Sequence, residues 1–422
     1  MERRNFFRAA TAAAVIGLVP GCRNGDGGGR RETREAAGRW GEVRRRFIVD
    51  DELVHMAGML IAPHPDIVRD AVARHRDALD REPVEYVQGE DARLKRRSRD
   101  AAAGYMGVSG DDVGLTDSTT MGIGLVYNGV RVRPGQVLLT TNHDYPATHD
   151  ALDYRAARDG VTIRRITLFD GARGAETEEI VDRLLGAVDD DTRVIAATWV
   201  HSSTGLKLPI RRIADRLEGV NAGRDPSERV LLCLDGVHGL GVEDEDIGAL
   251  GCDFFFAGTH KWMFAPRGTG VVWGRPGVQD QVRPTIPTFT RDGTWGGTMT
   301  PGGFKPIEHQ WSMAEAFAFH DEVGGRSVVA ERIHTLAGRL KEGLGEMPRV
   351  TLRTPMDAEL SSGIVCFDVE GLSSQAVVDQ LRGRDIIASV TPYEVPHARL
   401  SPGLLNADDD VERTLEAVQE IA

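Results

Sequence analysis

The sequence predicts an α/β protein, a mainly parallel sheet held between helices and followed by a smaller α+β C-terminal domain. Three observations carry this. Short apolar runs recur between residues 137 and 273, most of them bounded by polar or glycine-containing turns. Several are separated by segments long enough for a helix, the alternation expected of a parallel sheet covered on both faces. A Pro/Gly/Thr-rich stretch over 275–310, with no clear period, then separates this region from one dominated by helical spacing.

Taken in order, the first residues read as an address. Arg3-Arg4 ahead of Phe6-Phe7, followed by a mild apolar stretch over 9–19, resembles a twin-arginine export signal. The run Leu18-Val19-Pro20-Gly21-Cys22 faintly resembles a lipoprotein cleavage box, which makes Cys22 a candidate lipid anchor, although the proline departs from that pattern. Residues 1–22 are therefore expected to be a signal read by the twin-arginine machinery, 23–45 a Gly- and Arg-rich tether, and the protein periplasmic or exported. Helical spacing follows over 66–80 and 92–105. Strand-like runs lie at 137–140, 162–166, 194–198, 230–234, 254–257 and 270–273. Helices are expected over 308–323, 326–344 and 373–381, with a strand over 363–369. The last helix carries a stripe of Val411, Leu415, Val418 and Ile421, and Asp408, Asp409 and Asp410 suit its first turn. The expected domains are 46–305, large, with an N-terminal segment, and 306–422, small.

Composition excludes several functions. The 51 basic and 64 acidic residues of this 422-residue chain leave a formal charge of −13, which disfavours binding to a phosphate backbone. The four cysteines show no CxxC spacing, so neither a disulfide scaffold nor a cysteine zinc site is expected. There is no phosphate loop of the GxxxxGK[ST] kind, no HExxH and no GxSxG. His143 and His149 with Asp144 and Asp150 could in principle meet a metal, but loop polarity explains them, and no metal is expected.

Ligands of parallel sheets gather at the carboxyl ends of the strands, and there the sequence is informative. Lys261 follows the run Phe254-Phe-Phe-Ala257 by four residues. Of the 51 basic residues only five are lysine, so a lysine here suggests something arginine cannot supply. A desolvated amine can lose its proton and form a Schiff base with an aldehyde, whereas a guanidinium stays charged. The alternative is a surface lysine closing a turn. Asp235 ends the apolar run Val230-Leu-Leu-Cys-Leu234, where a carboxylate is costly without a cationic partner. The protonated ring nitrogen of pyridoxal 5′-phosphate (PLP) would be one; a helix cap is the other reading. His238 would reach the same rim and could donate to the 3′-oxygen of that ring. Thr116-Asp-Ser-Thr-Thr-Met-Gly122 precedes an apolar helical stretch, and hydroxyls at a helix start suit a phosphate. His260 could add a donor, and Tyr145 could lay its ring on a planar cofactor.

With these residues in place the chain resembles the class V aminotransferase family of PLP enzymes, fold type I, a group that includes cysteine desulfurases and isopenicillin N epimerase. The specific parts are Leu250-Gly-Cys-Asp-Phe254 with Gly258-Thr-His-Lys-Trp262, Asp235-Gly-Val-His238, and Arg399-Leu-Ser-Pro402 with Asn406. The resemblance implies PLP as cofactor, joined to Lys261. It implies Asp235 on the pyridine nitrogen, His238 and Ser202 near the 3′-oxygen, and Thr119, Thr120 and His260 on the phosphate. Tyr145 falls where relatives stack a ring. Gly297-Thr298 resembles the Gly-Thr by which a neighbouring subunit reaches the phosphate, implying a homodimer, and Arg399 falls at the substrate-carboxylate arginine. Three departures stand out. Desulfurases carry a nucleophilic cysteine on the loop upstream of that arginine, and residues 384–399 contain none. Relatives often have Asn at 202 and Ser at 258, and His55-Met-Ala-Gly58 replaces the usual Asn-containing segment. Phe304-Lys-Pro-Ile-Glu-His309 is closest to epimerase-like members. The expected activity is therefore at the α-carbon of an amino acid or amino-acid-containing substrate. An aminotransferase or C–S β-lyase, and a catalytically silent exported binding protein, are the alternatives.

Overall fold

The computed structural model describes residues 38–422; the twin-arginine-like segment and Cys22 lie outside them. Seven strands form the main sheet, in spatial order Val113–Thr116, Gly270–Gly274, Phe254–Gly258, Leu231–Asp235, Thr192–Thr198, Val137–Thr141 and Thr162–Ile166. All are parallel except Gly270–Gly274, which runs against both neighbours. The reason is chain length: the link from Gly258 to Gly270 is too short for a crossover, which needs a dozen residues or more. That short link holds Lys261. Every residue of the six other strands is buried, while Thr162–Ile166, at the edge, shows Arg164 and Arg165, as a sheet covered on both faces requires. Phe255 meets Trp199 on one face, and Phe256 meets Tyr127 on the other.

The sequence expectations hold for most elements and differ at informative places. The helix expected over 92–105 is Pro83–Met106, with Pro83 in the first turn and Gly107 left-handed at its end. Its polar first half gave no apolar period. The stretch expected at 308–323 is two helices, Ile307–Trp311 and Met313–Val323. They cover the large domain, since Ser98 Oγ donates to Gln310 O (2.7 Å) and Trp311 Nε1 to Asp91 Oδ1 (3.0 Å). The end of the expected tether is a helix, Arg39–Arg45, with Val43 buried and Arg332 over the Trp40 ring.

The C-terminal region is a four-stranded antiparallel sheet ordered Ser389–Val390, Ala398–Leu400, Val365–Val369, Val350–Leu352. Helices Arg326–Glu346, Ser374–Arg382 and Asp408–Ile421 complete its core. Val54–His55 pairs with Ile386–Ile387, so the N-terminal segment is stitched to the small domain.

Candidate active site

The site forms where three parallel strands end. Asp235 is the last residue of Leu231–Asp235 and is buried, its Oδ1 accepting from Val237 N at 3.1 Å. Gly236 has to follow it, because a Cβ there would lie 1.9 Å from the Phe255 ring. The turn that results carries His238 back over the strand ends. Lys261 sits on the short antiparallel link, which is pinned at both ends: Thr259 N donates to Thr269 O (3.1 Å), Ala265 N to Thr259 O (3.0 Å) and Phe264 N to Lys261 O (3.0 Å). Phe264 closes this turn with φ 58°, a backbone cost that surrounding packing must hold.

Burial acts on both groups. It pushes the Lys261 amine down to about 8, with Arg399 adding to the effect and Asp235 opposing it. It pushes the Asp235 carboxyl up, against the Val237 N–H and Lys261. Each group thus lies closer to neutrality than in water, as at a proton-transfer site. The other four lysines sharpen the point. Lys95, Lys207 and Lys305 pair with Asp91, Glu243 and Asp117 at 2.8–2.9 Å, and Lys341 is held by two carbonyls and Ser361. Scarcity alone does not mark a reactive lysine here, since three of the five make ordinary ion pairs. What distinguishes Lys261 is that its hydrogen-bond neighbour is neither an anion, as for Lys95, Lys207 and Lys305, nor the carbonyls and hydroxyl that hold Lys341, but a ring nitrogen, His238 Nε2, at 3.5 Å.

The other expected residues fall around this pair. Thr119 and Thr120 open the helix Thr119–Gly129, capped by Ser118 Oγ on Met121 N. Thr119 Oγ1 accepts from Gly258 N at 2.8 Å, which leaves its own proton to give. His260 lies against it: a Cβ on Gly258 would meet His260 Cε1 at 2.9 Å and Thr119 Oγ1 at 3.1 Å. That contact accounts for glycine where relatives often have serine. His260 Nδ1 is buried with no partner, so the free N–H groups of a helix start, the Thr119 hydroxyl and an orphaned ring nitrogen come together, a donor set that fits a phosphate; Thr120, the next residue of that helix start, is exposed.

On the opposite side Arg399, in Ala398–Leu400, is buried and donates to Ser389 Oγ (3.0 Å) and Ser202 O (2.8 Å). Among the described residues no carboxylate pairs with it. Ser202 Oγ bonds Tyr393 OH at 2.9 Å. Tyr145, 41% exposed, stands edge-on to Tyr393 with centroids 6.3 Å apart; it is not a core residue. Thr298 is exposed and its hydroxyl donates to Thr294 O (2.9 Å), so within this chain it joins no site residue. Tyr393 went unnoticed in the sequence; its one signal was an aromatic six residues before Arg399, in a turn between short strands. His143 stacks on Phe169 and accepts from Leu168 N, and His149 Nε2 donates to Thr141 O. Among the described residues no group of three or more His, Cys, Asp or Glu could hold a metal.

Comparison with known proteins places this geometry. The family described as Aminotransferase class-V matches residues 85–391. Isopenicillin N epimerase of Streptomyces clavuligerus is 24% identical over 404 residues, covering 90% of this chain and 98% of the relative. The same enzyme from Amycolatopsis lactamdurans is 25% identical over 415 residues, 91% and 98% of the two chains. A cysteine desulfurase of Klebsiella pneumoniae (strain 342) is 23% identical over 413 residues, 90% and 96%. Among solved structures, a C-DES mutant with glycine covalently linked to its PLP cofactor superposes with a TM-score of 0.80 at 19% identity, covering 89% of this chain and 99% of that one. The fold is the one expected from the sequence.

Proposed function

Because this chain belongs to the aminotransferase class-V family of PLP-dependent enzymes, we propose that it acts at the α-carbon of an amino acid or amino-acid-containing substrate, in the manner of isopenicillin N epimerase. The observation that carries the reading is the partly neutralised Lys261 beside buried Asp235, with the unpaired Arg399 across from them. PLP, when bound, withdraws electrons from the α-carbon and makes its proton acidic.

The residues would divide the work as follows. Thr119, Thr120 and His260 hold the phosphate, and Asp235 accepts from the ring nitrogen, which keeps the ring charged. His238 and Ser202 flank the 3′-oxygen, and Tyr145 covers the ring. Lys261 holds the cofactor at rest and moves the α-proton when released. Arg399 has two donors occupied by Ser389 and Ser202 and uses the remainder to clamp the substrate carboxylate.

Thiol chemistry is disfavoured by the cysteines. Cys233, Cys252 and Cys366 are buried, and burial pushes the Cys366 thiol up to about 12; residues 384–399 have none. The two isopenicillin N epimerases and the cysteine desulfurase cover the chain equally well, so it is the missing loop cysteine that favours the epimerase reading over desulfuration. The reading includes a homodimer in which Thr298 serves the neighbouring phosphate site. The exposed pair Phe289 and Phe304, with centroids 6.1 Å apart on the adjoining loop, supports it. Export as a folded, loaded protein through the twin-arginine route, with Cys22 as the candidate lipid anchor, completes it.

The deciding experiment incubates purified holoenzyme with an amino-acid panel in D₂O. Deuterium at the α-carbon with inversion, and neither keto acid nor ammonia, is expected. Keto acid without ammonia would move the assignment to transamination, and keto acid together with ammonia to β-elimination. Borohydride reduction that leaves no pyridoxyl group on the Lys261 peptide would overturn it.

A further inference from the structure

We infer that Trp262 is a positioning residue: it fixes the tautomer of His238, so that one ring N–H is aimed at Lys261 Nζ. The inference deepens the PLP reading above, and its second half rests on that reading.

The argument is one of donors and acceptors. Trp262 Nε1 reaches His238 Nδ1 at 3.3 Å, and both residues are buried. An indole N–H can only donate, so Nδ1 must present its lone pair. A neutral imidazole carries one proton, which is then on Nε2. The ring stays neutral because it is buried and because the charges acting on it, Lys261, Arg399 and His260, are all cationic when protonated. Nε2–H faces Lys261 Nζ at 3.5 Å.

The indole is itself held. A Cβ on Gly363 would lie 3.1 Å from Trp262 Cη2, so the far edge of the ring is packed, and one on Gly241 would lie 3.0 Å from Trp262 Cβ, so the base of the side chain is packed as well. The backbone carbonyl of Trp262 accepts from His320 Nε2 at 3.1 Å, and His320 Nδ1 accepts from Tyr105 OH at 3.3 Å. The backbone that carries the indole is thus anchored, and the indole N–H to His238 Nδ1 bond has one allowed direction.

This matters for chemistry because the phenolic oxygen of PLP is on the carbon next to the one bearing its aldehyde. A donor held beside Lys261 Nζ is held beside that oxygen. With the other tautomer His238 would present a lone pair there and repel it. Donation to the ionised oxygen favours the ionised form and lowers the pH at which the chromophore on Lys261 loses its proton.

Two measurements test this. In cofactor-free protein labelled with ¹⁵N-histidine, His238 (assigned by loss of its signal in His238→Gln) is expected to show a protonated Nε2 and a bare Nδ1. A protonated Nδ1 overturns the inference, and this arm needs no change at Trp262. In the holoenzyme, Trp262→Phe is expected to raise the pH midpoint of the visible band by about one unit, the size of one lost hydrogen bond. The shift should vanish in a His238→Ala background. No shift, or the same shift in both backgrounds, means Trp262 only packs. A protein with the expected tautomer that takes up no PLP would break the cofactor reading and still uphold the hold of Trp262 on His238.

Discussion

The two sides of the cleft are built on different principles. The side carrying Lys261, Asp235, His238 and Thr119 grows from strand ends in which every residue is buried, and its groups are set by desolvation and fixed hydrogen bonds. The side carrying Arg399, Ser389 and Tyr393 comes from short strands of the small domain and the turn between them, and meets the first side at Ser202, its carbonyl to Arg399 and its hydroxyl to Tyr393, and at the Tyr145 ring. On the proposed reading the first side meets an anion with neutral donors at a helix start, and the second meets one with a whole buried charge. A deep parallel sheet can hold a permanent cofactor, whereas a hairpin can vary with the substrate while leaving the cofactor chemistry intact.

Substitution should separate the two sides. The largest effect is expected for Lys261→Ala. Turnover should fall by about 10³ or more, since proton transfer and cofactor attachment are lost together, and borohydride should label nothing at this position. Arg399→Gln comes next. Losing a buried charge-assisted contact is worth about 2–4 kcal/mol, roughly 30- to 1,000-fold in kcat/KM, and the visible spectrum of the resting enzyme should not change. A spectral change as large as that of an Asp235 variant would show that the sides are not separable.

This division also governs what could be read from the sequence. Lys261, Asp235 and the Thr119-Thr120 pair were legible because each follows an apolar run or opens a helix, and local pattern fixes such positions. The parallel order of most of the sheet was legible for the same reason. Tyr393 was not, because its role exists only once a turn near the C-terminus meets Ser202, 191 residues earlier. The reversed Gly270–Gly274 strand was hidden as well: its run looks like its neighbours, and only the length of the link betrays it. Pro83–Met106 was half missed because its exposed first turns carry charge without an apolar stripe.

A pH effect of intermediate size centres on the first side and is tuned by the second. Attachment of PLP needs the neutral form of Lys261, which burial brings down to about 8. Below that pH the neutral fraction changes about tenfold per unit, so the rate of cofactor uptake by apoenzyme should climb steeply from pH 6 to 8 and flatten above. In Arg399→Gln the flattening should come at higher pH, because Arg399 is one of the influences that lower Lys261. An uptake rate that does not vary with pH would mean that the amine is not the limiting group.

The smallest effect is expected where the two sides meet. Burial pushes the Tyr393 phenol up, so it stays protonated and serves as a hydrogen-bonding group, not as a base. Tyr393→Phe keeps the ring against Tyr145 and removes only the bond to Ser202 Oγ. One neutral hydrogen bond is worth about 1 kcal/mol, about fivefold, and the loss should appear in KM, because Ser202 also braces Arg399. Tyr393→Ala removes the ring as well and should cost more, again in KM. If instead Tyr393→Phe moved the pH midpoint of the visible band while leaving KM alone, Tyr393 would belong with His238 on the cofactor, and the cleft would have one working side instead of two.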